Sequence, residues 1–325
     1  MKTLSGPGAV RRLRLALALI LLVLPAGSPC EATAAPESRL GDTVIGEDSV
    51  WQGTVRVDGV AVVARRATLT IEPGTTVLFS KLDRNRDGIG DGELRVLGGL
   101  DARGTAAAPI TFRSAEKNPA AMDWSYVLLF TSGRKNLIRH CVFENAFTGL
   151  QVHFSTAEVD GSTFRHNREG LRFGRSHLTV RNSLFTDNDL GVRFTRMEGP
   201  TVLAGNRISG NRIGVLLVPS GQNITDFFEP DRGEKVWNTG RLTITGNDIS
   251  GNSWYNLALG EKQVWDLDAR NNWWGSTEPE AIRGTVFDRR RDPALGEVLV
   301  EPFLTAPPTG PFPPASPAAD ASPTR

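Results

Sequence analysis

One feature limits what this chain can fold into more than any other: a repeat of 21–25 residues through its middle. Six segments line up, IRHCVF (138–143), VDGSTF (159–164), VRNSLF (180–185), LAGNRI (203–208), ITGNDI (244–249) and ARNNWW (269–274). Their starts are 21, 21, 23, 41 and 25 residues apart. An Asn follows at one fixed offset (Asn167, Asn188, Asn211, Asn252), and Gly149, Gly170, Gly191 and Gly214 each open a short strand. In GLQVHF, GLRFGR, GVRFTR and GVLLVP the apolar residues recur with period two, which is strand geometry. Leu150, Leu171, Val192 and Val215 form one inward column, and Val152, Phe173, Phe194 and Leu217 the next. Gln151, Arg172, Arg193 and Leu216 lie between them and point outward.

A repeat this short with several strands has no room for a crossover helix. The remaining solution is a coil that winds once per repeat and pairs in parallel with the next, about 4.8 Å further on. Inward columns then stack into a core that no single repeat could bury. Asn at the turns is expected to accept left-handed backbone and to hydrogen-bond its neighbours in a ladder. The 34 glycines are expected at the corners. Cys141 falls in the column of Ser162, Ser183, Asn206, Asn247 and Asn272, the place of a small internal residue. The expected fold is all-β, a single right-handed parallel β-helix of 10–11 coils over 48–304.

The two ends read differently. Residues 1–34 have the form of a secretory signal: Lys2, Arg11, Arg12 and Arg14, an apolar run from Leu15 to Leu24, and Ala32-Thr33-Ala34 as a small-x-small cleavage site. That run is too short to span a bilayer as a helix. Cleavage after Ala34 implies a periplasmic or extracellular protein; Cys30 offers a lipid-attachment alternative. Residues 35–47 read as a linker. The segment 305–325 holds seven Pro and no apolar period, and reads as a disordered, extended tail. Charge is balanced, 37 basic against 36 acidic residues, so nucleic acid is excluded as a partner. The mature chain is expected to be a monomer with no membrane span, facing a polysaccharide or an envelope protein.

The repeats, together with VWQGTVRVDGVAVVARRATLTIEPGTTVLF (50–79), GELRVLGGLDARGTAAAPITFRS (92–114) and NNWWGSTEPEAI (271–282), resemble the pectin-lyase-like superfamily of right-handed parallel β-helix proteins. Within it they are most similar to the NosD-like secreted bacterial members. The resemblance implies the fold strongly and the activity weakly, since the superfamily holds lyases, hydrolases, epimerases, adhesins and non-catalytic proteins. For NosD-like members it implies an accessory role in maturing a copper enzyme. Four His and three Met give little material for copper handling by the chain itself.

Candidate sites follow from residue chemistry. Asp83, Asn85, Asp87, Ile89 and Asp91 place oxygens at positions 1, 3, 5, 7 (backbone) and 9 of an EF-hand-like loop, with Gly88 at position 6, so a structural Ca²⁺ is expected there. Position 12 is Leu94, so the bidentate acid is missing. Arg172 and Arg193, with Arg175 and Arg196 beyond them, form outward cationic rows suited to an anionic polysaccharide or to neutralisation by Asp160, Glu169, Asp187 and Asp189. An insertion at about 219–240 carries Phe228 and Trp237, an aromatic and charged mix suited to sugar rings. Five of seven Trp lie between 237 and 274, placed to seal the last coil or to stack on a glycan. Asp266 and Asp268 alternate outward about 7 Å apart, within the range of an inverting acid and base. Alignment sets Arg241 beside Asp266, an ordinary ion pair. The Asp-Asp, Gly-His-Gly and Arg-Ile-Lys motifs of polygalacturonase-like members are absent, and the four His fall in different columns.

The leading expectation is an exported, non-catalytic protein presenting a glycan- or protein-binding surface. The alternatives are a polysaccharide lyase or glycoside hydrolase, and a NosD-like periplasmic accessory factor.

Overall fold

The computed structural model describes residues 37–196, 199–218 and 242–313, the side chain of Arg196 excepted. The segment read as a signal, the insertion with Phe228 and Trp237, Arg241 and the end of the tail lie outside the described residues.

The chain forms a right-handed parallel β-helix. Three sheets, here A, B and C, hold eight, ten and eight strands, and every pairing is parallel. Successive strands visit A, then B, then C, so sheet B counts the coils: ten. The sixth coil is representative, with Thr163–Arg165 in A, Glu169–Gly174 in B and His177–Arg181 in C. Residues 38–40 and 43–45 already pair with the second coil in sheets A and B. The solenoid therefore starts inside the segment expected to be a linker. The cause is period-two patterning too short to read alone; Leu40 and Ile45 pack against the core.

The inward columns are as read: Leu150, Leu171, Val192 and Val215 are paired in register and fully buried. Aromatic residues stack along the axis from coil to coil. Phe112, Phe143, Phe164 and Phe185 make a continuous column with ring centroids 4.7–4.8 Å apart and planes within 4° of parallel. The spacing is that of the strands themselves.

Two polar ladders line the corners. In the first, each backbone N–H donates to the next coil's side chain: Cys141 to Ser162, Ser162 to Ser183, Ser183 to Asn206, Asn206 to Asn247 and Asn247 to Asn272. The second runs Ala146, Asn167, Asn188, Asn211, Asn252 in the same way. The left-handed residues are not the ladder members but those just before them, such as His166 (φ 55°) and Asp187 (φ 55°) ahead of Asn167 and Asn188. The turn is made one residue early, which frees the Asn to bond in both directions.

The glycines are not all at corners. Gly149, Gly170 and Gly191 stack inside sheet B, where a Cβ would meet the next coil's glycine carbonyl at 2.5–2.8 Å. The last coil is closed by a helix, Pro279–Gly284, burying Ile282, and by Trp274. Among the end tryptophans Trp274 seals the core, whereas Trp254 is 62% exposed under the Arg212 guanidinium. The start of the expected free tail is engaged, with the Phe312 ring 4.6 Å below Arg207.

Candidate functional site

Strand alternation sends two columns outward from sheet B. One runs Val60, Glu93, Tyr126, Thr148, Glu169, Leu190, Ile213, Tyr255; the other Val62, Arg95, Leu128, Gln151, Arg172, Arg193, Leu216, Ala258, Phe287. The face is divided. Its first part carries paired charges, and its last part an apolar cluster of Leu190, Ile213 and Ala258 with Leu216, Tyr255 and Phe287.

The predicted basic row lies in the charged part and is largely spent there. Arg172 is only 8% exposed and grips Glu169 with two bonds, Nε to Oε2 at 2.7 Å and Nη2 to Oε1 at 2.8 Å. Arg193 donates to the same carboxylate at 2.8 Å, and the Thr148 hydroxyl donates to it at 3.1 Å. Gln151 in turn donates to Thr148. Burial pushes the Glu169 carboxyl up, but the two guanidinium groups outweigh it and hold the pKa below the usual range. Arg172 and Arg193 are thus joined by one anion. Arg175 turns onto the Phe154 ring.

Glu93 repeats the motif three strands earlier, held by Arg95 at 2.7 and 3.0 Å. Here burial wins over Arg95, and the carboxyl is raised. Burial also raises the phenol of Tyr126, with the charge of Glu93 adding to it. Glu93 and Glu169 share a column, but three strand spacings set them about 14 Å apart, beyond the roughly 5–9.5 Å of glycosidase carboxyl pairs.

Asp266 and Asp268 project outward on the ninth coil. Asp266 accepts the Glu297 amide at 2.7 Å and lies 3.8 Å from Arg289. Asp268 is chelated by Arg270 at 2.9 and 2.6 Å, and that hydrogen bonding holds its carboxyl below the ordinary value. A general acid needs a raised pKa, which this pairing opposes.

The loop of Asp83, Asn85, Asp87, Ile89 and Asp91 joins sheet A to sheet B in the third coil. Its oxygens accept the loop's own amides: Asp83 from Asp87 and Gly88, Asn85 from Asp87, Asp87 from Ile89 at 2.8 Å, and Asp91 from Arg84 at 2.6 Å. Among the described residues, no group of three or more His, Cys, Asp or Glu is placed to hold a metal ion. In the coil register each His is next to a residue other than His: the His140 ring lies beside Gly161, His153 pairs with Gly174, the His166 amide donates to the Asp187 carbonyl, and His177 pairs with Thr156. Cys141 is fully buried, and burial drives its thiol pKa up, away from the thiolate a metal needs.

Beside this loop lies a cavity of about 430 Å³, lined by Val60, Arg84, Asn85, Asp87, Ile89, Asp91, Glu93, Ser125, Tyr126 and Phe147. Sequence reasoning missed Tyr126, because the long turns at 80–92 and 115–123 break the repeat where it lies, and Phe147, because it precedes the aligned strand that begins at Gly149. The register from Glu93 to Thr148 is the signal that finds them.

No helix among the described residues is long and apolar enough to cross a membrane. No curated protein and no solved structure matches the chain. The sequence profile of one family does, over residues 99–265, which is 167 of the 325 residues and covers the third to ninth coils. That family is described as "Periplasmic copper-binding protein (NosD)", and with half the sequence and the parallel coil architecture in agreement, this chain belongs to the NosD family.

Proposed function

We propose that this protein is an exported periplasmic accessory protein that presents the outer face of sheet B to a glycan or another envelope protein and performs no chemistry of its own. The observation that carries this reading is the state of the carboxylates on that face. Glu169 is held by Arg172 through paired hydrogen bonds and by Arg193 through one, and Glu93 by Arg95 through a pair. Such pairs fix geometry and remove lone pairs from proton transfer. The rigid register of ten stacked strands keeps the same groups at fixed intervals along the axis.

The copper in the family's description does not fit the donor set of the described residues. Among the described residues no three or more His, Cys, Asp or Glu are gathered to hold a metal, and the one described thiol is buried with its pKa driven up. Copper favours clustered imidazole and thiolate or thioether ligands. A role beside a copper protein is therefore assigned to the surface, not to a bound ion. Titration of the mature chain with Cu(I) and Cu(II) should show no stoichiometric high-affinity uptake.

Incubation with a panel of uronic-acid and neutral polysaccharides separates this reading from an enzyme. The expected result is retention of one class of glycan, or of an envelope protein, without product formation, weakened by Arg193→Ala. Product formation abolished by Asp266→Ala or Asp268→Ala would instead make the protein a hydrolase or lyase.

A further inference from the structure

The loop at 80–92 is built to stand over sheet B. Most turns from sheet A to sheet B are one to four residues long, as at Asn145 or 166–168, whereas this one has thirteen. It is pinned at several points. Lys81 pairs with buried Asp123 at 2.9 Å, Arg84 with Asp42 at 3.2 Å, Gly90 donates to the Met122 carbonyl at 2.9 Å, and Ser125 donates to the Gly90 carbonyl at 2.9 Å. At Gly90 a Cβ would collide with the Asp123 carbonyl, so the backbones are in direct contact. The cavity at the foot of the loop is bounded by a fixed wall.

Its lining is chemically uneven. Tyr126 and Phe147 offer rings and Val60 and Ile89 offer apolar surface. Three acids, Asp87, Asp91 and Glu93, face the same space with one base, Arg84. Arg84 is committed to Asp42, and Glu93 to Arg95. Asp87 and Asp91 have no cationic partner among the described residues; their hydrogen-bond donors are amides. Among the described residues, no three or more carboxylates, imidazoles or thiols are gathered to hold a metal ion. A charge spread over an alkylated nitrogen suits Asp87 and Asp91 better, since it needs no inner coordination sphere and is attracted to ring faces as well.

We propose that this cavity is a binding site for a small organic ammonium ion, with the nitrogen between Asp87 and Asp91 and the alkyl groups against Tyr126 and Phe147. The volume lies at the low end of the range for small-molecule sites, roughly 300–1,000 Å³. Phe147 also has the Arg172 guanidinium 5.6 Å from its ring centroid, so the site adjoins the ion network of Glu169, but it does not depend on the function proposed for the sheet face.

Calorimetric titration of the mature protein with choline and with putrescine tests this, with a neutral disaccharide and CaCl₂ as further arms. The expected result is saturable one-to-one binding of at least one ammonium probe, weakened by added salt, with no response to the disaccharide. Asp87→Asn with Asp91→Asn removes the charge and keeps an oxygen for the Ile89 and Arg84 amides, giving up only the exposed Asn85 bond to Asp87; Phe147→Leu keeps apolar bulk and removes the ring. Each change should weaken binding by about tenfold or more at unchanged melting temperature. No saturable binding of either ammonium, binding indifferent to both changes, or tight calcium binding that displaces the ammonium would overturn the proposal.

Discussion

At the scale of single residues, the corners are where polar groups are buried and where their satisfaction is most exacting. Asn188 accepts from the Asn167 amide at 3.0 Å, while its own side-chain amide donates to the Phe164 carbonyl at 2.9 Å and to Asn211 at 3.0 Å. Asn188→Ala leaves those groups buried without partners and should cost about 3 kcal/mol, read from urea unfolding. His153 gives a different signature. Burial, with Arg172 adding to it and Glu169 opposing, lowers its pKa from 6.5 to about 3. The neutral imidazole therefore contributes stability that is complete above the unfolded value of 6.5 and is lost progressively as pH falls toward 3. Glu169, held low, contributes stability that is lost only further down, as pH falls through its depressed folded value. Melting curves between about pH 7 and about pH 5 should fall for the parent chain, and His153→Gln should flatten that part of the profile. A profile unchanged by the substitution would assign the acid loss elsewhere.

At the scale of the element, stacking is the dominant device. Phe164 sits between Phe143 and Phe185 with no exposure, so Phe164→Ala opens a cavity in the column and should cost about 3–5 kcal/mol in unfolding free energy. The glycine column works by close approach rather than by unusual dihedrals. In Gly170→Ala the new methyl would lie 2.5 Å from the Gly191 carbonyl and 3.1 Å from the Phe185 ring. Neither neighbour can withdraw, and the expected loss is about 1–3 kcal/mol, visible as a lowered urea midpoint.

At the scale of the molecule, a solenoid is an array of coils whose ends need closing. The C-terminal end is closed by Trp274, Ile282 and the strand 298–299, which pairs with 267–268. A chain ending after Arg270 loses all three and bares the apolar end of the eighth and ninth coils. It should elute from gel filtration as a mixture of larger species, whereas a chain ending after residue 313 should match the full-length protein. Coelution of both as one sharp peak would show that the last coil is dispensable.

The sequence by itself determined the architecture. Period-two columns at a 21-residue spacing admit only a coil, and the inward residues, the ladder positions and the count of about ten turns follow from that spacing. The family resemblance was likewise carried by residues visible in the chain. Tertiary structure alone decided how the outward residues are used, because register says which side chains are neighbours but not which of them bond. The sequence offered Arg172 and Arg193 four acidic neighbours, and the fold selected Glu169 as the one that joins them. At 83–91 the oxygens are visible in the sequence, and the fold adds which of the loop's own amides they accept. The cavity beside it joins residues from the second to the fifth coils, as far apart in sequence as Val60 and Phe147. Such a site is a product of stacking, so it leaves no local pattern. The inward face of a solenoid is dictated by the short period of its strands, and its outward chemistry by which coils the stacking makes adjacent.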